Sequence, residues 1–296
     1  MEPTQTKLEM DSQSIQLWGG VILSALSLVC TVLNTLLLIA VIKDPLKKLR
    51  RLSNYLLIHL IACDMTVGLI STPLMSCITF RLKEWKNTDP YYITKAMAFI
   101  FVYAEYLTAL FLCRDRYHSI VTPIQHRGNT SSKRYVKTTI ATWVLSFIMP
   151  VDIFLGKASI IVGAIKLIFL TISTVAVLII IYFRVRNVLT RRDDKEEPLL
   201  TGGHHSGSLT RIRESKQVIS LLTLIIVWQL FTLIVLASTE IYYQMNVHDP
   251  SFVHRHQIIE IVHYMMYTLN PIFNAVVCII KMSDFRKSIK ALFIHA

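Results

Sequence analysis

The chain is poor in charge. Only 17% of its 296 residues are Asp, Glu, Lys or Arg, whereas 53% are hydrophobic, and the mean hydropathy is +0.50. Soluble domains carry roughly a quarter charged residues, so the composition excludes an ordinary water-soluble enzyme. Glycine and proline are also scarce, with nine of each, which leaves long apolar stretches uninterrupted. Cys30, Cys63, Cys77, Cys113 and Cys278 all fall within or at the ends of those stretches. None lies in a predicted outside loop, so no extracellular disulfide framework is available. No Cys/His spacing of the metal-site kind occurs, and the pair His204-His205 lacks a third ligand nearby. Residues 1–17 are polar and lack the apolar core and cleavage site of a signal peptide. The first span is therefore expected to act as its own insertion signal.

What is present is repeated apolar length. Spans of roughly 20 residues cross a bilayer, and five stretches are clearly delimited: Trp18–Ile42, Asn54–Phe80, Tyr92–Tyr117, Val218–Ser238 and Gln257–Ile280. Between the third and the sixth, Val136–Phe183 is apolar almost throughout. As one helix it would reach about 70 Å, more than twice the hydrocarbon thickness. It must fold back, and Pro150, Asp152, Gly156 and Lys157 place the turn at about 151–158. That makes seven spans. The fold expected is all-α: a polytopic seven-helix membrane bundle over 18–280, preceded by an outside tail, 1–17. A cytoplasmic segment, 281–296, follows, in which Phe285, Ile289, Leu292 and Phe293 share one face of an amphipathic surface helix.

The net charge of +12 has a simple source. Lys and Arg collect on cytoplasmic flanks, and most of them fall in segments that an outside N-terminus assigns to the cytosol. These include Lys43–Arg51, the loop after Tyr117, the polar stretch Arg184–Lys216 and the C-terminal helix. Membrane lipid, not nucleic acid, is the partner this charge implies. Asn129-Thr130-Ser131 has the form of a glycosylation site but lies on the cytosolic side, where it stays unmodified.

Ionisable residues inside spans are expensive and face the bundle. Asp64 sits in the middle of the second span. Glu105 lies 11 residues before Arg116, about 16 Å along the helix, at a similar depth. The third span ends on Asp115-Arg116-Tyr117, where Asp115 can hold Arg116 in a charge-assisted pair that a cytosolic partner could release. These charges could equally rest in the headgroups.

Seven spans carrying Asn34, Asp64, Asp115-Arg116-Tyr117, Trp143, Tyr182, Trp228 and Asn270-Pro271 in successive helices resemble the rhodopsin-like (class A) G-protein-coupled receptors, from about residue 18 to 293. The resemblance implies that Arg116 meets a heterotrimeric G protein, with Asp115 restraining it and Tyr182 accepting it in the active state. It makes Asp64, Asn34 and Asn270, joined by Glu105, a polar core that can hold a sodium ion. Trp228 would be a rotamer sensor below the ligand pocket. Trp143 and Trp228 each also read as plain packing or interface anchors.

Departures from the family pattern accompany the match. Asn274 ends Asn270-Pro271-Ile272-Phe273-Asn274 where the family has Tyr, and Leu230 stands where it has a Pro after Trp228. The fifth span lacks its usual proline, and no cysteine pair ties the third helix to an outside loop. These features, with a short second outside loop, resemble the melanocortin branch and its lipid and nucleoside relatives. Glu105 occupies a position where the family has a small polar residue. Opposite Asp64 it would bind a cation more strongly, force one acid to keep its proton, or remain protonated and bond a neighbouring helix.

For the ligand, Ala98 stands where aminergic receptors carry their amine-binding Asp, which disfavours a monoamine held in that way. Lys95, Lys166 and Glu260 belong to the outer half of the bundle, with His263 one turn from Glu260. They suggest a zwitterionic, peptidic or acidic ligand, among the peptide, lipid and small polar molecules open to this family. The two lysines can alternatively snorkel to the headgroups or pair with acids. Two other functions stay in view. His248, His254, His256 and His263 could sense outside pH, and Asp64 with Glu105 could line a cation path in a small transporter. No Ser/His/Asp or metal constellation points to an enzyme.

Overall fold

A computed structural model describes residues 3–50, 54–81, 84, 88–122, 131–154 and 253–294, with scattered positions at 162–187 and 220–245. Its helices are α1 (Pro3–Lys43), α2 (Tyr55–Thr66), α3 (Thr72–Phe80), α4 (Asp89–Val121), α5 (Ser132–Ile148), α6 (Val253–Lys281) and α7 (Ser283–Ile294). A π turn, Val67–Ser71, joins α2 to α3 as one span, and a 3-10 turn, Met149–Phe154, prolongs α5. Among the described residues four helices are long and apolar enough to cross a membrane, Ser12–Lys43, Tyr55–Phe80, Asp89–Ser119 and Ser132–Phe154. The stretch Gln257–Lys281, followed after an 88° bend by Ser283–Ile294, adds a fifth. The expected fifth and sixth spans fall where only scattered positions are described, and those positions are helical.

The first helix is longer than the sequence suggests. The polar tail expected over 1–17 is helical from Pro3 onward. Proline is well suited to the first turn of a helix, and nothing between it and Gly19 breaks the chain. Ser12 Oγ donates to Gln257 Oε1 at 2.9 Å, so the extension is fastened to the outer end of α6. Likewise α4 starts at Asp89, with Pro90 in its first turn, and runs to Val121, past both expected ends at Tyr92 and Tyr117.

The second span shows how a proline shapes a helix without ending it. The Thr72 backbone N–H bonds Val67 O, one residue further back than in an α-helix. The next amide, at position 73, is a proline nitrogen with no hydrogen, so the Gly68 carbonyl is left without a donor in its own helix. Ser27 Oγ of α1 supplies one at 2.7 Å. The approach this needs is close. A Cβ on Gly68 would stand 2.8 Å from the Thr31 backbone nitrogen.

Two apolar clusters form the core. The inner one gathers Leu37, Leu56, Leu60, Leu112, Cys113, Tyr135, Cys278 and Phe285, and the outer one Leu23, Met75, Ile78, Tyr91, Ala98 and Tyr264. Buried polar residues Asn34, Asp64, Glu105 and Asn274 belong to neither. In α7, Phe285 is buried and Ile289 and Leu292 pack on the inner cluster. Phe293 is 72% exposed, so it parts from the face predicted to unite it with Phe285.

The chain does reverse after α5. Lys166 Nζ bonds both Met149 O at 2.8 Å and Asp152 Oδ1 at 2.6 Å. In a continuous helix residues 152 and 166 would be about 21 Å apart. Residues 152 and 166 therefore do not belong to one continuous helix, and the turn expected at about 151–158 lies partly outside the described residues.

Candidate functional site

At the inner end of α4, Asp115 is buried and accepts from Tyr135 Oη at 3.1 Å. Tyr135 is itself fixed by stacking on Tyr55, with ring centroids 5.4 Å apart. Arg116 Nη2 reaches Asn54 Oδ1 at 3.4 Å, and Arg184 Nη1 donates to Tyr117 Oη at 3.1 Å. The three residues of the motif thus meet three different parts of the bundle. Tyr182 lies outside the described residues.

A polar layer crosses the bundle between α1, α2, α4 and α6. Asn274 Nδ2 donates to Asp64 Oδ2 at 3.2 Å and to Glu105 Oε1 at 3.1 Å. Asn270 Nδ2 also donates to Glu105 Oε1. Asn34 Nδ2 bonds Cys30 O at 3.0 Å and, at 3.5 Å, the carbonyl of Pro271. The structure thus brings Asp64, Glu105 and Asn270 together, with Asn34 reaching the layer through Pro271. Asn274, which the sequence offers both as a departure from tyrosine and, with Asn270 and Pro271, as part of the expected coupling switch, bonds both acids. Buried oxygens Oδ1 of Asp64, Asn34, Asn270 and Asn274 have no hydrogen-bond partner.

Between α2, α4 and α5 lies a network the sequence reading passed over. Trp143 Nε1 donates to His59 Nε2 at 3.2 Å, while His59 Nδ1 stands 3.1 Å from Thr108 Oγ1. The Thr108 hydroxyl gives its only proton to Ala104 O at 2.6 Å. These partners assign the hydrogen of His59 to Nδ1 and leave Nε2 as acceptor, so the ring is neutral. A histidine in an apolar run was the available signal. Trp143 thus packs its ring against Phe101 and Phe147 and also donates a bond that joins α5 to α2.

In the outer half, Glu260 is buried and accepts from Tyr91 Oη at 2.7 Å and Tyr264 Oη at 2.8 Å on the same oxygen. Lys95 Nζ lies 3.4 Å from Tyr91 Oη and 5.5 Å from its ring centroid. Lys95 and Glu260 are thereby brought around one phenol, and Tyr91, expected at the headgroups, is interior. Lys166 is held elsewhere, on Asp152 and 5.1 Å above the Tyr103 ring. Asp152, a helix breaker in the sequence pattern, is also the partner of Lys166. The backbone of the buried Ala98 takes the Ser71 hydroxyl at 3.1 Å. His263 Nε2 meets Thr239 Oγ1. Trp228 stacks on Phe273 of α6 at 4.6 Å and 18°, and its Nε1 has no hydrogen-bond partner. His248 lies outside the described residues, as do the side chains of His254 and His256.

One loop also carries an unforeseen device. Asp44, at φ 37°, turns the chain after α1. Its carboxylate accepts from the backbone N–H groups of Lys48, Leu49 and Arg50 at 2.9, 3.1 and 3.0 Å. Burial favours its neutral form, but these three donors and the Arg50 charge outweigh burial and hold the acid below its usual range.

A buried acid beside Arg116 near one end of α4, a polar midlayer and a second group of buried ionisable residues, all on helices of membrane-spanning length, describe a helical membrane bundle. The fold matches the crystal structure of squid rhodopsin over 95% of this chain and 86% of that one, with a TM-score of 0.74 and 16% identity. It is thus a seven-helix membrane bundle. Residues 33–162 match the family described as 7 transmembrane receptor (rhodopsin family). The histamine H1 receptors of Bos taurus and Cavia porcellus are each 30% identical over 134 residues, and that of Homo sapiens 28%. Those alignments take in 45% of this chain but only 27% of each relative's length. The chain is a multi-pass membrane protein with the seven-helix bundle fold, and over residues 33–162 it is similar to the rhodopsin family of receptors. Asn34, Asp64, Glu105, Asp115-Arg116-Tyr117 and Trp143 lie within the matched residues. Trp228 and the Asn270–Asn274 motif lie outside them, where the likeness is one of fold.

Proposed function

We propose that this chain is a G-protein-coupled receptor of the plasma membrane, with its N-terminus outside and its C-terminus in the cytosol. It performs no covalent chemistry. An extracellular ligand shifts a two-state equilibrium toward a conformation whose cytosolic face opens to a heterotrimeric G protein and promotes nucleotide exchange. The observation that carries this reading is Asp115, buried at the inner end of α4 and held by Tyr135, with Arg116 beside it reaching Asn54. An acid braced next to an arginine is a restraint that a partner's docking can release. Among the alternatives, nothing in the described histidines favours proton sensing, and the acids of the polar layer are bridged by amides, which does not favour a cation path.

The ligand is a small polar or peptidic molecule met by the Glu260, Tyr91, Tyr264 and Lys95 group. The matched relatives are histamine receptors by name, but Ala98 supplies no acid for an amine. The polar layer also fits a sodium ion. Asp64, Asn34, Asn270 and Asn274 offer buried, unpartnered oxygens, the donor type hard cations take. Among the described residues no three His, Cys, Asp or Glu side chains gather as metal ligands, so such a site depends on the asparagine oxygens.

The test is ligand-free nucleotide exchange on a panel of G proteins, comparing wild type with Arg116→Ala in matched membranes. Basal exchange that vanishes in the variant is expected. Exchange unaffected by Arg116→Ala would overturn the reading.

A further inference from the structure

Two departures from the family pattern touch each other. Asn274 stands where tyrosine is usual and Glu105 where a small polar residue is usual, and the two are hydrogen-bonded, together with Asp64. Glu105, Asn274 and Asp64 are each only 1% exposed. A carboxamide nitrogen carries two hydrogens, so Asn274 Nδ2 can serve both carboxyl groups at once. A tyrosine hydroxyl carries one and could not. A serine at 105 would be too short to take the second. Each departure therefore meets a need that the other creates. Without Glu105 one of the two Asn274 hydrogens loses its acceptor, and without Asn274 the two acids lose the donor they share, Glu105 keeping only Asn270. Either loss is costly in a buried site.

We propose that Glu105, Asn274 and Asp64 form a latch that ties the inner half of α6 to α2 and α4 and restrains opening of the cytosolic face. Its placement supports this role. Glu105 lies on the helix that carries Asp115-Arg116-Tyr117 near its C-terminal end. One turn beyond Asn274, Cys278 packs in the inner cluster with residues of α2 and α4. Because both bonds leave one nitrogen, displacement of α6 from either neighbour disturbs the pair together. The two substitutions are then interdependent, and a tyrosine placed at 274 alone does not restore the family arrangement. The restraint on signalling rests on the receptor reading above, whereas the latch itself does not.

The test uses the full chain in lipid nanodiscs, without ligand. Labelling of the buried thiol Cys278 by a membrane-permeant maleimide, read by mass spectrometry, reports separation of α6 from its neighbours. Glu105→Ser and Asn274→Tyr should each speed labelling by about tenfold, the scale of one or two lost buried hydrogen bonds. The double variant Glu105→Ser/Asn274→Tyr should label no faster than the faster single variant. Glu105→Gln retains an acceptor and should stay within about threefold of wild type, which separates loss of the latch from general misfolding. Additive single effects, or unchanged labelling in both singles, would overturn the latch. Basal nucleotide exchange should rise in the same single variants. Coupled labelling with no exchange in any variant would keep the latch and sink the receptor reading. Exchange in wild type with labelling unmoved in the singles would do the reverse.

Discussion

Replacing His59 probes how three membrane helices are joined. The ring accepts from Trp143 and donates to Thr108, at 3.2 and 3.1 Å. Inside a bilayer no water substitutes for a lost partner. Side-chain hydrogen bonds between membrane helices average about 0.6 kcal/mol and reach about 1.7, so His59→Phe, which removes both, should cost roughly 1–3 kcal/mol. His59→Gln places an acceptor near the Nε2 position and forfeits only the Thr108 bond, so its cost should be about half as large. The assay is reversible unfolding in mixed micelles by titration with SDS, followed by tryptophan fluorescence. A double-mutant cycle with Trp143→Phe isolates the shared bond. If His59→Phe is as stable as wild type, or if His59→Gln is as damaging as Phe, the assigned network is wrong. An additive cycle would be equally damaging to it.

Two further predictions concern the backbone. Ser27→Ala should cost about 1–2 kcal/mol by leaving the Gly68 carbonyl without a donor, measured by the same titration. Gly68→Ala should cost about 1–3 kcal/mol through overpacking against α1, and Thr31→Ala should relieve it only in part, because it removes the Thr31 hydroxyl but leaves the Thr31 backbone nitrogen and Cys30 Sγ in the way. Asp44→Ala should unprotect the amides of Lys48, Leu49 and Arg50 in hydrogen-exchange mass spectrometry, leaving the spans unchanged. The pH dependence has a definite sign. Asp44 titrates lower in the folded chain than its ordinary value of 3.8, so its contribution is complete above that value and fades as pH falls through the lower folded one. Protection of these amides that fades between pH 7 and 5 would contradict the assignment.

How much of this was legible in the sequence depends on what makes a residue conspicuous. Asp64 and Glu105 stand out because a carboxylate in an apolar run is costly anywhere except in a satisfied interior, and both prove to be buried and bridged. The fold-back after Ile148 was legible from length alone. His59 and Tyr91 were not, for opposite reasons. A lone histidine in an apolar run is only a weak signal, because a neutral imidazole costs less there than a carboxylate and its partners lie on other helices. A tyrosine beside a predicted headgroup region has an easy local explanation, whereas its partner, Glu260, is 169 residues away. Asp44 is hidden by its neighbours: in a strip of lysines and arginines one acid reads as charge balance, and only φ and three backbone distances reveal a turn built around it. Asn274 shows the limit most plainly. Compared position by position with a family, it is a loss, and Glu105 is an oddity. Only their contact turns two separate defects into one arrangement, and contacts between distant positions are what a single sequence, read residue by residue, does not contain.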